Sequence, residues 1–131
     1  MTLVADASVV VAALVDSGPQ GVWAERMLAG DDTAAPHFMP VEVAILLRRA
    51  VLAGKIGDDT AALAHADLVA LPVELFPYAP LSGRVWELRR SVTAYDAWYV
   101  ALAEALGARL ATLDVKLSRA TGPRCRFALP G

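Results

Sequence analysis

Short apolar runs alternate with longer stretches of helical periodicity along the whole chain. The apolar runs predict five short strands, over residues 3–5, 33–36, 73–76, 109–112 and 125–127. The periodic stretches predict seven helices, over residues 7–15, 20–29, 40–53, 60–71, 81–90, 94–106 and 115–120. The recurring unit is one short strand followed by one or two helices. This pattern is typical of an α/β fold with a short, mostly parallel sheet flanked by helices.

Two aspartates stand where predicted strands give way to predicted helices. Asp6 directly follows the first strand, and Asp114 lies just beyond the strand over 109–112. Because ligands of parallel sheets bind at the carboxyl ends of the strands, we expect both side chains at one edge of the sheet. An aspartate at such a junction is also a common N-cap, and for either residue alone that alternative is equally good.

Two further acids lie in the first turns of predicted helices. Glu42 is followed on its helical stripe by Ile45 and Leu46, so its carboxylate lies on an apolar face and needs a partner. Asp96 lies near the start of the most regular helix, with Thr93 available as a cap. A favourable interaction with the helix dipole is the alternative for each. The joint pattern of four acids facing one sheet edge favours a common site.

Four converging carboxylates would need charge compensation. Two unit charges about 4 Å apart repel by roughly 4 kcal/mol at an effective dielectric of 20. Either some carboxylates hold protons or a cation neutralises them. Oxygen ligands without nearby His or Cys favour Mg²⁺ or Mn²⁺, and two such ions can activate water for phosphodiester hydrolysis. Ser8 and Thr112 add hydroxyl groups, although a local cap or turn bond is as good an interpretation of each.

Several segments of the chain resemble the motifs of PIN-domain nucleases. The segment 4–8 (VADAS) resembles the family's opening, Glu42 its second acid, 95–103 (YDAWYVALA) its third motif, and 106–114 (LGARLATLD) the strand and T-x-D that follow. The match covers nearly the whole chain in the right order. It implies one PIN-like domain with a three-layer fold over residues 1–131.

The size and the Tyr-Asp-Ala segment are most similar to the VapC toxins of bacterial VapBC toxin–antitoxin pairs. The resemblance implies an endoribonuclease that depends on Mg²⁺ or Mn²⁺ and forms a homodimer. It also implies neutralisation by a VapB antitoxin whose C-terminal segment blocks the active site. In the family the first three acids are the most consistent metal-site residues, here Asp6, Glu42 and Asp96. The fourth, Asp114, is the more variable contributor to metal binding and catalysis.

Composition limits the partners and the compartment. The chain has 131 residues, a net charge of −2 and 56% apolar residues, which leaves apolar surface for a partner protein. Four of its 14 acidic residues belong to the candidate site, leaving 10 against 12 Lys and Arg, a mildly basic remainder. The single cysteine, Cys125, fits a reducing cytoplasm. No signal peptide or membrane-spanning stretch is predicted, so we expect no membrane partner.

Contacts to RNA phosphates are expected from arginine and lysine. The candidates are Arg48, Arg49, Arg89, Arg90, Lys116, Arg119, Arg124 and Arg126. Trp86 and Trp98 offer rings for base stacking, but their apolar helical contexts favour the core or a dimer interface. The helix pair 39–53 and 60–71 is the predicted antitoxin groove.

Other functions remain open alternatives. Haloacid-dehalogenase-like enzymes need a second aspartate two residues after the first, where this chain has Ser8. Response-regulator receivers need a late lysine at a strand end, whereas Lys116 closely follows Asp114. Another metal-dependent phosphohydrolase, or a degenerate PIN domain that only binds, is the remaining alternative. The presence of all four acids favours an active ribonuclease, whose RNA target the sequence does not identify.

Overall fold

A five-stranded parallel sheet forms the centre of the molecule in the computed structural model, which describes residues 1–131. The strands are β1 (Thr2–Ala5), β2 (Asp32–Pro36), β3 (Val73–Phe76), β4 (Arg109–Ala111) and β5 (Phe127–Ala128). Their order across the sheet is β3-β2-β1-β4-β5, and every neighbouring pair is parallel. Strand β1 is central, with Leu3, Val4 and Ala5 fully buried, as its uninterrupted apolar run predicts.

Seven α-helices and one 3₁₀-helix connect the strands. The α-helices are α1 (Ala7–Val15), α2 (Pro19–Gly30), α3 (Met39–Leu52), α4 (Asp58–Ala70), α5 (Ser82–Glu87), α6 (Ala94–Leu106) and α7 (Val115–Ser118). The 3₁₀-helix covers Ala79–Leu81 and leads into α5. No helix combines the length and the apolar character needed to cross a bilayer. The α/β prediction is confirmed.

The strand order determines on which face each helix lies. The chain moves from β1 through β2 to β3 in one direction and then returns across the sheet to β4. Because crossovers between parallel strands are right-handed, helices α1–α4 lie on one face and α5 and α6 on the other. The contacts agree: α6 packs against β1, β2 and β4, whereas α1 packs against α2, α3 and α4. The sheet is therefore the middle of three layers.

Three of the differences between the predicted and the observed elements lie in the C-terminal half of the chain. The helix predicted over 81–90 is wrong in length, because α5 covers only Ser82–Glu87 and residues 88–91 form turns. The last helix ends at Ser118 rather than at residue 120. The last strand covers Phe127–Ala128 rather than 125–127, because its register is set by pairing with Leu110 and Ala111.

Candidate active site

The four predicted acids lie at one edge of the sheet, which we call the acidic edge and define by Asp6, Glu42, Asp96 and Asp114. Asp6 directly follows β1, and Asp114 follows β4. Glu42 lies in the first turn of α3, just beyond the end of β2. Helix α6 leads into β4, so its first turn, with Asp96, lies at the carboxyl end of that strand. The topology therefore brings together side chains that are up to 108 positions apart in the sequence.

Asp6 is the buried member of the acidic edge, with 7% of its surface exposed. One carboxylate oxygen, Oδ1, accepts hydrogen bonds from Ser8 Oγ at 2.5 Å and from Val9 N at 3.2 Å. Ser8 Oγ in turn accepts from Leu113 N at 3.2 Å, which ties the end of β1 to the end of β4. Burial raises the pKa of Asp6, and the hydrogen bonds offset that effect only in part. Asp6 thus caps α1, and it is close enough to Glu42 and Asp96 for its charge to raise their pKa values.

Glu42 is held from the opposite face of the sheet by a residue that sequence reasoning missed. The Tyr99 hydroxyl donates a hydrogen bond to Glu42 Oε1 at 2.8 Å, and Tyr99 is almost fully buried. Burial raises the pKa of Tyr99, so the phenol stays protonated as a donor. Burial and the charges of Asp6 and Asp96 raise the pKa of Glu42. The available sequence signal was that Tyr99 lies three positions after Asp96, on the same helical face.

Asp96 and Asp114 form the more open part of the acidic edge. Burial, followed by the charges of Asp114 and Asp6, raises the pKa of Asp96. Thr93 Oγ1 accepts a hydrogen bond from Asp96 N at 3.2 Å, as expected of an N-cap. The Asp114 side chain is exposed and accepts from Leu117 N at 3.0 Å, so it caps α7. Two of the four acids, Asp6 and Asp114, are therefore N-caps, and they also lie with the other two at the same edge of the sheet.

The donor set fits a hard divalent cation. Neither of the two ion pairs of the chain, Arg84–Glu104 and Arg109–Asp31, involves the acidic edge. The carboxylates instead raise one another's pKa values, which is the electrostatic signature of like charges gathered without a counter-charge. The ligand atoms on offer are carboxylate oxygens, which Mg²⁺ and Mn²⁺ prefer. No group of three or more His, Cys, Asp or Glu side chains is already arranged to enclose an ion.

A wide cleft of about 840 Å³ opens beside the acidic edge. It has Asp96 and Asp114 on its wall, and its other charged lining residues are all cations. These cations are Arg89, Arg90, Lys116 and Arg119. We call this space the basic cleft. The structure thus places four of the eight predicted phosphate-binding residues in the basic cleft.

The other four cations are distributed differently. Arg124 and Arg126 line a small pocket with Glu104 and Gly107, near the C-terminal end of α6 and away from Asp96. Arg49 lines a third pocket with Glu42, on the α3 side of the acidic edge. Arg48 is exposed and lines neither of the two pockets beside the acids.

The two tryptophans singled out from the sequence have different environments. Trp86 is 66% exposed, so a core position is wrong for it, while its alternative position at a dimer interface stays a prediction. The guanidinium carbon of Arg89 lies 4.7 Å from the centroid of the Trp86 ring, and Arg89 Nη1 donates a hydrogen bond to the Trp86 carbonyl at 2.8 Å. Trp86 therefore helps to hold one cation of the basic cleft. Trp98 is half-buried and meets Tyr78 edge to face, with the ring centroids 5.2 Å apart.

Comparison with known proteins agrees with this architecture. The PIN-domain family model matches residues 3–123. Over 127 residues the chain is 40% identical to Ribonuclease VapC1 of Mycobacterium tuberculosis, with 96% of each chain covered. The structure of PAE2754 from Pyrobaculum aerophilum superposes with a TM-score of 0.73 at 20% identity, over 97% of this chain and 83% of that one. The VapBC2 structure from Rickettsia felis gives a TM-score of 0.69 at 15% identity and covers 98% of both chains. The chain belongs to the PIN-domain family and, within it, to the VapC ribonucleases.

Proposed function

We propose that the chain is a metal-dependent endoribonuclease toxin that holds Mg²⁺ or Mn²⁺ at the acidic edge and cleaves RNA there. One observation carries the proposal: Asp96 and Asp114 share a cleft with Arg89, Arg90 and Lys116. Unpaired acids suit a cation, and neighbouring cations suit the phosphates of a nucleic acid. Their presence in one cleft is what phosphodiester cleavage requires.

The protein's own residues bind, orient and hold charge in this proposal. The cations of the basic cleft hold the RNA backbone so that one phosphate lies against the acidic edge. Asp6, Glu42 and Asp96 would hold the metal, with Asp114 as a further ligand. When bound, the metal would activate water and stabilise the charge that develops on the phosphate and the leaving oxygen. Ser8 fixes the Asp6 carboxylate and Tyr99 fixes that of Glu42, so both acids are positioned before substrate arrives.

The proposal includes a VapB-like antitoxin as protein partner and a homodimeric state. An apolar groove of about 460 Å³ runs between α3, α4 and β3, with Val41, Leu68 and Val69 among its lining residues. Val41 and Val69 are 49% and 74% exposed, so the groove leaves apolar surface to be covered. It coincides with the helix pair predicted from the sequence, and an amphipathic antitoxin helix suits its shape and polarity. The relationship to the VapC ribonucleases supports this partner.

The direct test incubates the purified protein with labelled total RNA in Mg²⁺, in Mn²⁺ and in EDTA. Wild type is expected to cleave with either metal and not in EDTA, and the variants Asp6→Asn and Asp96→Asn are expected to be inactive with both. Asparagine keeps the cap of α1 at position 6, so Asp6→Asn is expected to fold. Asp58→Asn, in the first turn of the distant α4, is the matched control and should cleave like wild type.

The outcomes separate the proposed function from its alternatives. Equal cleavage in EDTA and in Mg²⁺ would contradict the metal-dependent mechanism. RNA binding without cleavage, equal in wild type and Asp6→Asn, would indicate a PIN domain that acts as a binding module. Cleavage of bis(p-nitrophenyl) phosphate but not of RNA would indicate another metal-dependent phosphohydrolase.

A further inference from the structure

Two aromatic rings stack beside the acidic edge, outside the lining of the basic cleft. Phe38 and Tyr95 have ring centroids 5.2 Å apart and planes inclined by 25°. Phe38 immediately precedes α3, the helix of Glu42, and Tyr95 immediately precedes Asp96 on α6. The pair therefore bridges the two helices that bring acids to the site. Phe38 is half-buried, whereas Tyr95 is 55% exposed and has ring surface available to a ligand.

A pocket of about 260 Å³ lies against this pair. Its six lining residues are Phe38, Glu42, Ile45, Leu46, Arg49 and Tyr95. Two rings and two aliphatic side chains make most of its wall apolar. Glu42 belongs to the acidic edge, and Arg49 is an exposed cation at the same wall. The pocket thus combines a stacking surface, a hydrogen-bonding acid and a cation, directly beside the acids.

The two spaces adjoin different members of the acidic edge. Asp96 and Asp114 line the basic cleft, while Glu42 lines the aromatic pocket, and no residue lines both. A bound strand whose phosphate lies at the acids would meet cations beside Asp96 and Asp114 and aromatic rings beside Glu42. Phosphates pair with cations, and unstacked bases of single-stranded RNA stack on aromatic side chains.

We propose that Phe38, Tyr95, Ile45, Leu46 and Arg49 form a subsite for one nucleobase of the RNA, adjacent to the bond that is cleaved. The base stacks on Tyr95, the aliphatic residues enclose it, and Arg49 contacts its edge or the neighbouring phosphate. This inference rests on the proposed ribonuclease activity and adds to it a position at which the enzyme reads a base. Single-stranded RNA is the substrate form that this subsite requires, because a base in a duplex cannot reach the rings.

The test uses a 5′-labelled RNA oligonucleotide that spans a site cleaved by the wild-type protein in total RNA, together with copies that each carry one abasic nucleotide. For wild type, one abasic position next to the cut should lower kcat/KM by roughly 5- to 150-fold, the worth of one base–aromatic stack. Tyr95→Ala should lose a similar factor on the intact oligonucleotide and nothing further at that abasic position. Tyr95→Phe keeps the ring and should therefore keep the wild-type dependence on that abasic position.

Lys116→Ala is the contrasting variant, because it removes a phosphate contact and no stacking surface. It should weaken cleavage of all oligonucleotides by the same factor and leave the abasic profile unchanged. Thermal melting of each variant checks that the fold is retained, and light scattering checks its oligomeric state.

Several results would overturn the subsite. A Tyr95→Ala protein that loses activity by the same factor on intact and on all abasic oligonucleotides does not read a base through this ring. If Tyr95→Ala keeps the wild-type dependence on abasic positions and also changes its oligomeric mass, a second copy of the chain covers the aromatic pair. If wild type cleaves RNA but no abasic position matters, the subsite fails and the ribonuclease stands. If wild type cleaves no RNA, the proposed function fails, and the subsite fails with it.

Discussion

The two ends of α6 carry acids in opposite electrostatic situations. Near the C-terminal end, Glu104 accepts from Arg84 Nε at 2.7 Å and Nη2 at 3.1 Å, and from Arg124 N at 2.7 Å. These hydrogen bonds and charges outweigh partial burial and lower the pKa of Glu104. At the N-terminal end, Asp96 has no ion-pair partner, and burial with the charges of Asp114 and Asp6 raises its pKa.

The difference separates an acid that stabilises the fold from acids available to a ligand. Glu104 joins α6 to α5 and, through Arg84 Nη2 donating to the Gly122 carbonyl at 2.8 Å, to the C-terminal segment. Asp96 joins nothing across the fold, and its charge is a cost to the folded protein until a cation compensates for it. Perturbed pKa values of this uncompensated kind mark candidate functional sites.

The largest expected effect tests this division directly. Asp96→Asn should lower the ribonuclease rate by about 100-fold or more, because several kcal/mol of metal-assisted stabilisation is lost. Glu104→Gln, at the other end of the helix, should cleave within about twofold of wild type per folded molecule. Initial rates on one RNA substrate at saturating Mg²⁺ measure both variants. Equal losses in the two variants would contradict the division.

The next effect concerns the residue that holds Glu42. Tyr99→Phe removes the hydroxyl donor and keeps the buried ring, so we expect Mg²⁺ or Mn²⁺ to bind about 10- to 100-fold more weakly. Titration calorimetry or the metal dependence of cleavage measures this change. Tyr78→Phe is the matched control, because Tyr78 packs against Trp98 and donates no hydrogen bond to the acidic edge. Wild-type affinity in Tyr99→Phe would remove this tyrosine from the set of positioning residues.

Local signals in the sequence predicted the elements that bring the acids together. Helix α6 has the predicted bounds because Thr93 caps its start and Gly107 adopts the left-handed conformation, with φ of 61°, at its end. Strand β1 was predicted from its short apolar run, which is buried on both faces of the sheet. The common location of the four acids followed from these elements and the rule for parallel sheets.

Features that depend on packing between distant segments were not predictable in the same way. The Tyr99–Glu42 hydrogen bond joins positions 57 residues apart, and nothing local to Glu42 indicates it. The early end of α5 was not predictable, because the buried Val85 and Leu88 are spaced as they would be in a continuing helix. Trp86 lies in an apolar stretch but packs on Arg89 at the surface, so its apolar context could not distinguish a core position from the alternative, a dimer interface, which stays a prediction.

A moderate effect on stability should appear at the C-terminal end of α6. Glu104→Gln should lower the free energy of unfolding by about 1–3 kcal/mol, because charged hydrogen bonds are lost and Arg84 keeps a partly buried charge without its partner. In EDTA, Asp96→Asn should be as stable as wild type or more so, since it removes a repelled charge. Denaturant unfolding of the three metal-free proteins measures the contrast. A larger loss in Asp96→Asn than in Glu104→Gln would reverse our assignment of the two ends.

The smallest expected effect is a pH dependence of opposite sign at the two ends, because no side chain is removed in the wild-type protein. The folded pKa of Asp96 lies above the ordinary value of 3.8, so the folded state binds more protons between these two values. Stability of the metal-free protein should therefore fall as the pH rises from 3.8 through the folded pKa of Asp96. The folded pKa of Glu104 lies below its ordinary 4.5, so its stabilisation is complete above 4.5 and is lost as the pH falls through the folded value.

Melting temperatures in EDTA between about pH 3 and about pH 7 resolve the two windows. Asp96→Asn should reduce the fall in melting temperature that occurs as the pH rises above 3.8. The reduction is partial, because the pKa values of Asp6 and Glu42 are raised as well. Glu104→Gln should reduce the fall in melting temperature that occurs as the pH falls below 4.5. In wild type, saturating Mg²⁺ should remove the fall in melting temperature with rising pH, because the bound ion favours the ionised carboxylates. A decline that Mg²⁺ leaves unchanged would mean that the acids at this end of α6 do not bind the ion.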